Sequence, residues 1–399
     1  MAPLDPVSPL PAVAAAGLAF ATAALWARVA GAPAVAGRHA SIDGLRGYLA
    51  LGVFLHHASI WYFYSHTGRW QLPPSQLYTH LGHGSVALFF MITGFLFFAK
   101  LLDARRRPMD WLHLYTSRVL RIVPLYLVVM LLLFATVAVL SGGELHEPPR
   151  TVAKQLLRWL GFTMYGNPPI NGVEATKIIV AGVTWSLPYE WFFYGALPLF
   201  ALVLGLRPRW PWLLLGLAST AALLDWHALA PHLWAFAGGM AAAVISRWTG
   251  AHRLARTPLA SGLVVACVAA AVALFPLATD AGALVLYALA FVLVACGNPL
   301  FGLLHHPVSR LLGESAYSIY LLHGLLLFGL MHFGLRADAA GGALAAATHW
   351  AWVLVLTPVV VLVSQLSYRA IEAPAMRAVP RVTAALRRRL QRSSGQLAA

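Results

Sequence analysis

The chain has 399 residues, 60% of them hydrophobic and 10% charged, with a mean hydropathy of +0.73; so little polar surface cannot coat a soluble globule, and the long apolar runs mark an integral membrane protein. A net charge of +15 would suit nucleic acid if the basic residues formed one stripe, but they are spread between apolar windows, so no nucleic acid partner is expected and the pattern speaks of membrane orientation. The two cysteines, Cys267 and Cys296, sit singly in apolar windows, and with no disulfide framework, CxxC or HExxH no structural metal is expected.

Windows of membrane length fall near 9–28, 44–64, 82–102, 118–140, 183–205, 210–224, 231–246, 259–278, 281–297, 315–334 and 345–368. Short polar stretches separate them and no Ser/Gly-rich linker intervenes. The sequence therefore predicts one all-α, polytopic membrane helix bundle over 41–376, with an extra helix within 1–40 and a basic tail at 377–399. Asp5 and no Lys or Arg precede the Ala-rich first window, which fits a retained helix better than a cleaved leader.

Alternating the connections between two sides brings most of the 28 Lys and Arg residues together, among them Arg28, Arg38, Arg46, Arg105, Arg106, Arg107, Arg118, Arg121 and Arg310. The other side keeps Arg69, Arg150, Lys154, Arg158, Lys177 and Arg336. The positive-inside rule then puts the C-terminus in the cytoplasm. The longest connection, Ser141 to Gly182, faces outward and carries a weakly amphipathic stretch at Thr151 to Tyr165 suited to the interface.

The second window, GLRGYLALGVFLHHASIWYFY, carries Arg46, His56 and His57. Ionisable groups at such depth cost several kcal/mol unless they face protein or a watery cavity. Asp43, Arg46, Ala50, Val53 and His57 follow a 3,4,3,4 spacing and share one helical stripe, with His56 turned about 100° away. Arg46 and His57 are separated by roughly 16 Å of helix rise, so they serve two ends of one elongated ligand or two unrelated purposes. An acyl-CoA has that shape, with phosphates for Arg46 and a thioester for His57. The plainer alternatives are an arginine snorkelling to the interface and a histidine bonded within the core.

Further along, Arg118 and Arg121 share a helix face as a phosphate clamp or as a pair of anchors. Glu190, in WSLPYEWFFY, is the acidic residue inside its window, and counted from the helix ends it lies at the same depth as His57, where a carboxylate would orient the imidazole. Ser186, Tyr320 and His323 offer hydroxyl and imidazole groups to the same cavity or to helix packing, and Trp185 suits an interfacial belt or the acceptor.

The blocks IDGLRGYLALGVFLHH, GSVALFFMITGFLF, RVLRIVPLY, WSLPYEWFFY, LGESAYSIYLLHGLLL and YRAIEAP occur in an order that resembles the integral-membrane acyltransferase 3 family, over residues 42 to 374. That family includes bacterial enzymes that O-acetylate surface polysaccharides and others that acylate macrolides. The resemblance implies ten core transmembrane helices, an essential arginine and histidine at Arg46 and His57, the paired-arginine motif at Arg118 and Arg121, and the Trp-Ser-Leu-x-x-Glu motif at Trp185, Ser186, Leu187 and Glu190. The usual Ser-Gly-Phe is here Thr93 to Phe95, which keeps the hydroxyl. On this basis the chain is expected to be an inner-membrane O-acyltransferase with no permanently bound cofactor. It would use acyl-CoA, acetyl-CoA by preference, as donor and a saccharide hydroxyl as acceptor. Arg46, Arg118 and Arg121 would bind the donor, His57, Glu190 and Arg46 would carry the catalysis, and Asp43, Trp185, Ser186, Tyr320 and His323 would bind substrate. The competing class is a transporter of a lipid-linked saccharide or small anion using His57 and Glu190 as a proton relay; the sequence shows no clear internal repeat of the kind many transporters carry.

Overall fold

Each apolar window becomes a helix in the computed structural model, which describes residues 5–31, 39–225, 230–337 and 342–396; Arg38 and the end of the basic tail lie outside them. In chain order the helices are α1 (Leu10–Ala30), α2 (Ala40–Thr67), α3 (Gln76–Asp103), α4 (Trp111–Leu140), α5 (Pro149–Leu160), α6 (Leu187–Val203), α7 (Trp210–Asp225) and α8 (Ala230–Ile245). They continue as α9 (Thr249–Ala255), α10 (Pro258–Leu274), α11 (Ala281–Ala295), α12 (Pro307–Glu314), α13 (Ala316–Gly334), α14 (Ala346–Ser367) and α15 (Ala373–Gln396). Local chemistry sets the ends. Asp110 accepts from the His113 amide to cap α4, Thr257 caps α10 through the Ala260 amide, and Gly68 closes α2 at φ 69°.

Among the described residues, five helices are long and apolar enough to cross a membrane, six if the bent pair α9 and α10 forms one broken span; α7, α8 and α11 are shorter apolar helices. Besides these three, two more helices of the expected bundle miss that test, for opposite reasons. α6 has only 17 residues, while α2 is 28 residues long but diluted by histidines and tyrosines. The latter belongs inside: every residue from Leu49 to Trp61 is buried. A helix buried on all faces is the axis of a bundle rather than a lipid-facing span. Around it, α1, α4 and α10 turn Val13, Leu131 and Leu259 outward as large exposed apolar side chains.

Small residues let the helices close on α2 and α3. A Cβ at Gly47 would meet the Leu312 backbone carbon at 2.7 Å, and one at Gly313 would collide with the Asp43 carbonyl, so α2 and α12 cross with their backbones nearly touching. The segment before α6 folds back into the bundle: Val180 abuts Gly324, and the Val183 carbonyl accepts from Tyr320. α6 therefore starts at the level of Tyr320, inside the protein. The expected basic tail is the helix α15, which runs back along α4 and ties Arg387 to Asp110 at 2.7 Å.

Candidate active site

A cavity of about 490 Å³ opens between α2, α3, α4, α6, α12 and α13. One end is lined by Arg46, Arg118, Arg121 and Arg310 with Asp43, Glu314, Tyr368 and Met376; the walls are Phe89, Phe90, Leu96, Phe97 and Ile122; the other end reaches Ser186 and Tyr320. The helix crossing at Gly47 and Gly313 brings Arg46 and Arg310 onto one wall. The i,i+3 spacing on α4 brings Arg118 and Arg121 onto the opposite one.

The guanidiniums are held unequally. Arg121 pairs with Glu372 at 3.0 Å, donates to the Met376 sulfur at 3.1 Å and lies near the rings of Tyr317 and Tyr368. Arg118 rests over Phe97 at 5.1 Å. Arg310 keeps Nε and Nη1 buried with no hydrogen-bond partner among the described residues, as does Arg118 at Nε. Buried, unpaired guanidinium donors converging on an apolar-walled slot are the chemistry of an anion site, and phosphate is the anion their fork geometry fits best.

Glu190 belongs to this end of the cavity. It accepts from Tyr194 at 2.8 Å, lies beside the Thr93 hydroxyl, and has Arg118 and Arg46 as its neighbouring positive charges. The expectation that it would orient His57 does not hold in the geometry, because depth counted from helix ends assumed that α6 starts at the outer surface. It starts at Tyr320 instead, and one turn later Glu190 has already moved toward Arg118.

His57 meets another histidine. Its Nδ1 lies 3.0 Å from His323 Nε2 and 3.0 Å from the Val53 carbonyl, and its ring stacks on Trp70 with centroids 6.4 Å apart. His57 is not a lining residue of the cavity, whose far end is Tyr320 and Ser186, joined to each other at 2.8 Å; the Tyr320 and His323 rings are 6.3 Å apart. Arg46 thus lines the cavity and His57 does not: the buried His323 stands between His57 and the cavity's Tyr320.

Of the residues singled out in the sequence, Asp43, Arg46, Arg118, Arg121, Ser186, Glu190 and Tyr320 line one cavity. His57 and His323 form a pair behind it. Trp185 does not line it and packs on His232 with centroids 4.9 Å apart. Two site residues escaped the sequence reading. Arg310 hides in a short helix between apolar windows. Glu372, inside the quoted YRAIEAP block, is an acidic residue in a basic stretch, and its burial to 1% exposure beside Arg121 and the Ser318 hydroxyl shows what that signal meant.

Residues 39–369 are similar to the acyltransferase domain of the acyltransferase 3 family. No curated protein and no solved structure matches the chain. Since that match covers most of its length, the chain belongs to the acyltransferase 3 family and is a multi-pass membrane acyltransferase.

Proposed function

We propose that the protein is an inner-membrane O-acyltransferase that moves an acyl group, acetyl by preference, from cytoplasmic acyl-CoA to a hydroxyl of a saccharide or glycan. The observation that carries this reading is the four-arginine cavity with apolar walls, whose Tyr320 lies with its ring 6.3 Å from that of His323, the partner of His57. Arg46, Arg118, Arg121 and Arg310 hold the phosphates of the donor at the basic end, which the positive-inside rule places in the cytoplasm. The apolar walls sheath the pantetheine arm. Glu190, held by the Tyr194 hydroxyl at 2.8 Å, supplies a negative charge beside Arg118 and Arg46.

At the far end His57 removes the proton from the acceptor hydroxyl as its oxygen attacks the thioester carbonyl. The tetrahedral intermediate then collapses, the C–S bond breaks, and the proton held on His57 leaves with the CoA sulfur. Thioester carbon and hydroxyl oxygen gain a bond, carbon and sulfur lose one, and the histidine ends as it began. Burying this step keeps water, the competing acceptor, away from the thioester.

The test is transfer of label from radiolabelled acetyl-CoA to membrane glycans by wild type and His57→Ala at equal expression. Transfer by wild type and its loss in the variant are expected. Absence of transfer by wild type, together with saccharide efflux that depends on the protein, overturns the enzyme reading in favour of a transporter.

A further inference from the structure

We propose that His323 is a positioning residue that locks His57 in the tautomer with Nδ1 protonated and Nε2 bare, so that Nε2 is the nitrogen that takes the acceptor's proton. The inference deepens the function proposed above and rests on it for the direction of proton flow, but the lock itself follows from hydrogen-bond bookkeeping alone.

Two carbonyl oxygens fix the protons. His323 Nδ1 lies 2.9 Å from the Ile319 carbonyl, one turn back on α13, and His57 Nδ1 lies 3.0 Å from the Val53 carbonyl, one turn back on α2. A carbonyl only accepts, so each Nδ1 carries a hydrogen. A neutral His323 then has a lone pair at Nε2, and that lone pair faces His57 Nδ1 at 3.0 Å. The His57 Nδ1 hydrogen is shared between Val53 and His323, and the chain runs in one direction: His57 donates to His323, and His323 donates to Ile319. Reversing it would set a bare Nδ1 against a carbonyl oxygen at both histidines.

The reactive edge follows. His57 Nε2 has no hydrogen bond among the described residues, and His57 keeps 8% exposure while His323 has none, so His57 is the ring that a substrate can reach. Trp70 lies parallel to one face with centroids 6.4 Å apart and His56 stands edge-on at 4.9 Å, so the ring is flanked as well as hydrogen-bonded. When Nε2 gains its proton, the charge spreads to Nδ1–H, where the His323 lone pair strengthens its hold as a charge-assisted hydrogen bond. A neutral imidazole thus fills the place that a carboxylate takes in a Ser-His-Asp triad.

The experiment is solid-state 15N NMR of full-length, histidine-labelled protein in lipid nanodiscs, with the His57 signals assigned by difference against His57→Asn, alongside activity of His323→Gln and His323→Leu. A protonated Nδ1 and a pyridine-type Nε2 at His57 are expected. His323→Gln, whose side-chain carbonyl still accepts from Nδ1–H, should keep kcat within about tenfold of wild type, whereas His323→Leu should lower kcat about a hundred-fold with the KM for acetyl-CoA unchanged. A protonated Nε2 at His57, or equal loss in both variants with the His57 tautomer unchanged, overturns the lock. The spectrum decides this even if wild type transfers no acyl group, a result that would sink the proposed function and leave the tautomer assignment standing.

Discussion

Arg121 and Glu372 meet at 3.0 Å across the junction of α4 with the π turn Tyr368–Glu372 that leads into α15, with side-chain exposures of 11% and 0%. The contact is ionic without an aligned hydrogen bond at Oε2, so charge alone holds it, while Oε1 is fixed by the Ser318 hydroxyl. A buried pair of this kind is costly to break and cheap to replace whole. Glu372→Ala should therefore destabilise the protein by about 3–5 kcal/mol, seen as an earlier thermal transition in detergent, because Arg121 is left as an uncompensated buried charge. The double variant Arg121→Met, Glu372→Met should recover most of that stability and still fail to bind donor, as measured by calorimetry with CoA.

A second expectation concerns Gly47. The helix around Arg46 is set by the approach of α2 to α12, and the added methyl of Gly47→Ala would press on the Leu312 backbone and on the Gly313 nitrogen at 2.9 Å. Overpacking of this order costs about 1–3 kcal/mol. Since the neighbours are backbone and cannot swing aside, α2 must shift and carry Arg46 away from Arg118 and Arg121. The KM for acyl-CoA should rise more than kcat falls, and the same variant at Gly17, where nothing lies within 4 Å, should change neither.

Thr93 tests how far the departure from Ser-Gly-Phe matters. Its hydroxyl faces the Glu190 carboxylate, so Thr93→Ser should keep near wild-type transfer, while Thr93→Val, equal in shape, sets a methyl against that carboxylate and should cost about 1–3 kcal/mol in stability with loss of transfer. A valine variant that worked as well as the serine one would show that the hydroxyl kept at this position has no part in transfer.

The helices were legible because hydropathy and period are local properties, and each apolar window of the sequence reappears as a helix, though α3 and α4 begin at Gln76 and Trp111, ahead of the windows expected from 82 and 118. The stripe from Asp43 to His57 was legible for the same reason. What local pattern cannot carry is where a helix begins in depth. The fold-back of residues 176–186 moved α6 inward and turned Glu190 from a partner of His57 into a partner of Thr93 and Tyr194. His323 stood in the sequence as one more polar group facing a cavity; its bond to His57 depends on the rotation of α13 against α2, which no single window encodes. Arg310 and Glu372 were hidden likewise, one by the shortness of its helix and one by lying past the last span.

The last expectation is a pH dependence at the basic end, outside the spans. Burial alone would raise the Asp110 carboxyl, but the His113 amide and the Arg387 guanidinium outweigh it and hold the group below its ordinary 3.8. A carboxylate depressed by folding stabilises the folded state fully above that ordinary value and loses the contribution as pH falls through the lower, folded one. Both partners are about half exposed, so the pair is worth at most about 1 kcal/mol and weakens with salt. Limited proteolysis should find α15 equally protected from pH 8 to 5 and increasingly cut below pH about 4, with Asp110→Asn lacking the acid step. Because α15 also brings Met376 to the cavity and to Arg121, the same acid step should appear as weaker CoA binding; protection of α15 that is unchanged on acidification in wild type would show that packing on α4, and not this ion pair, holds the helix over the arginines.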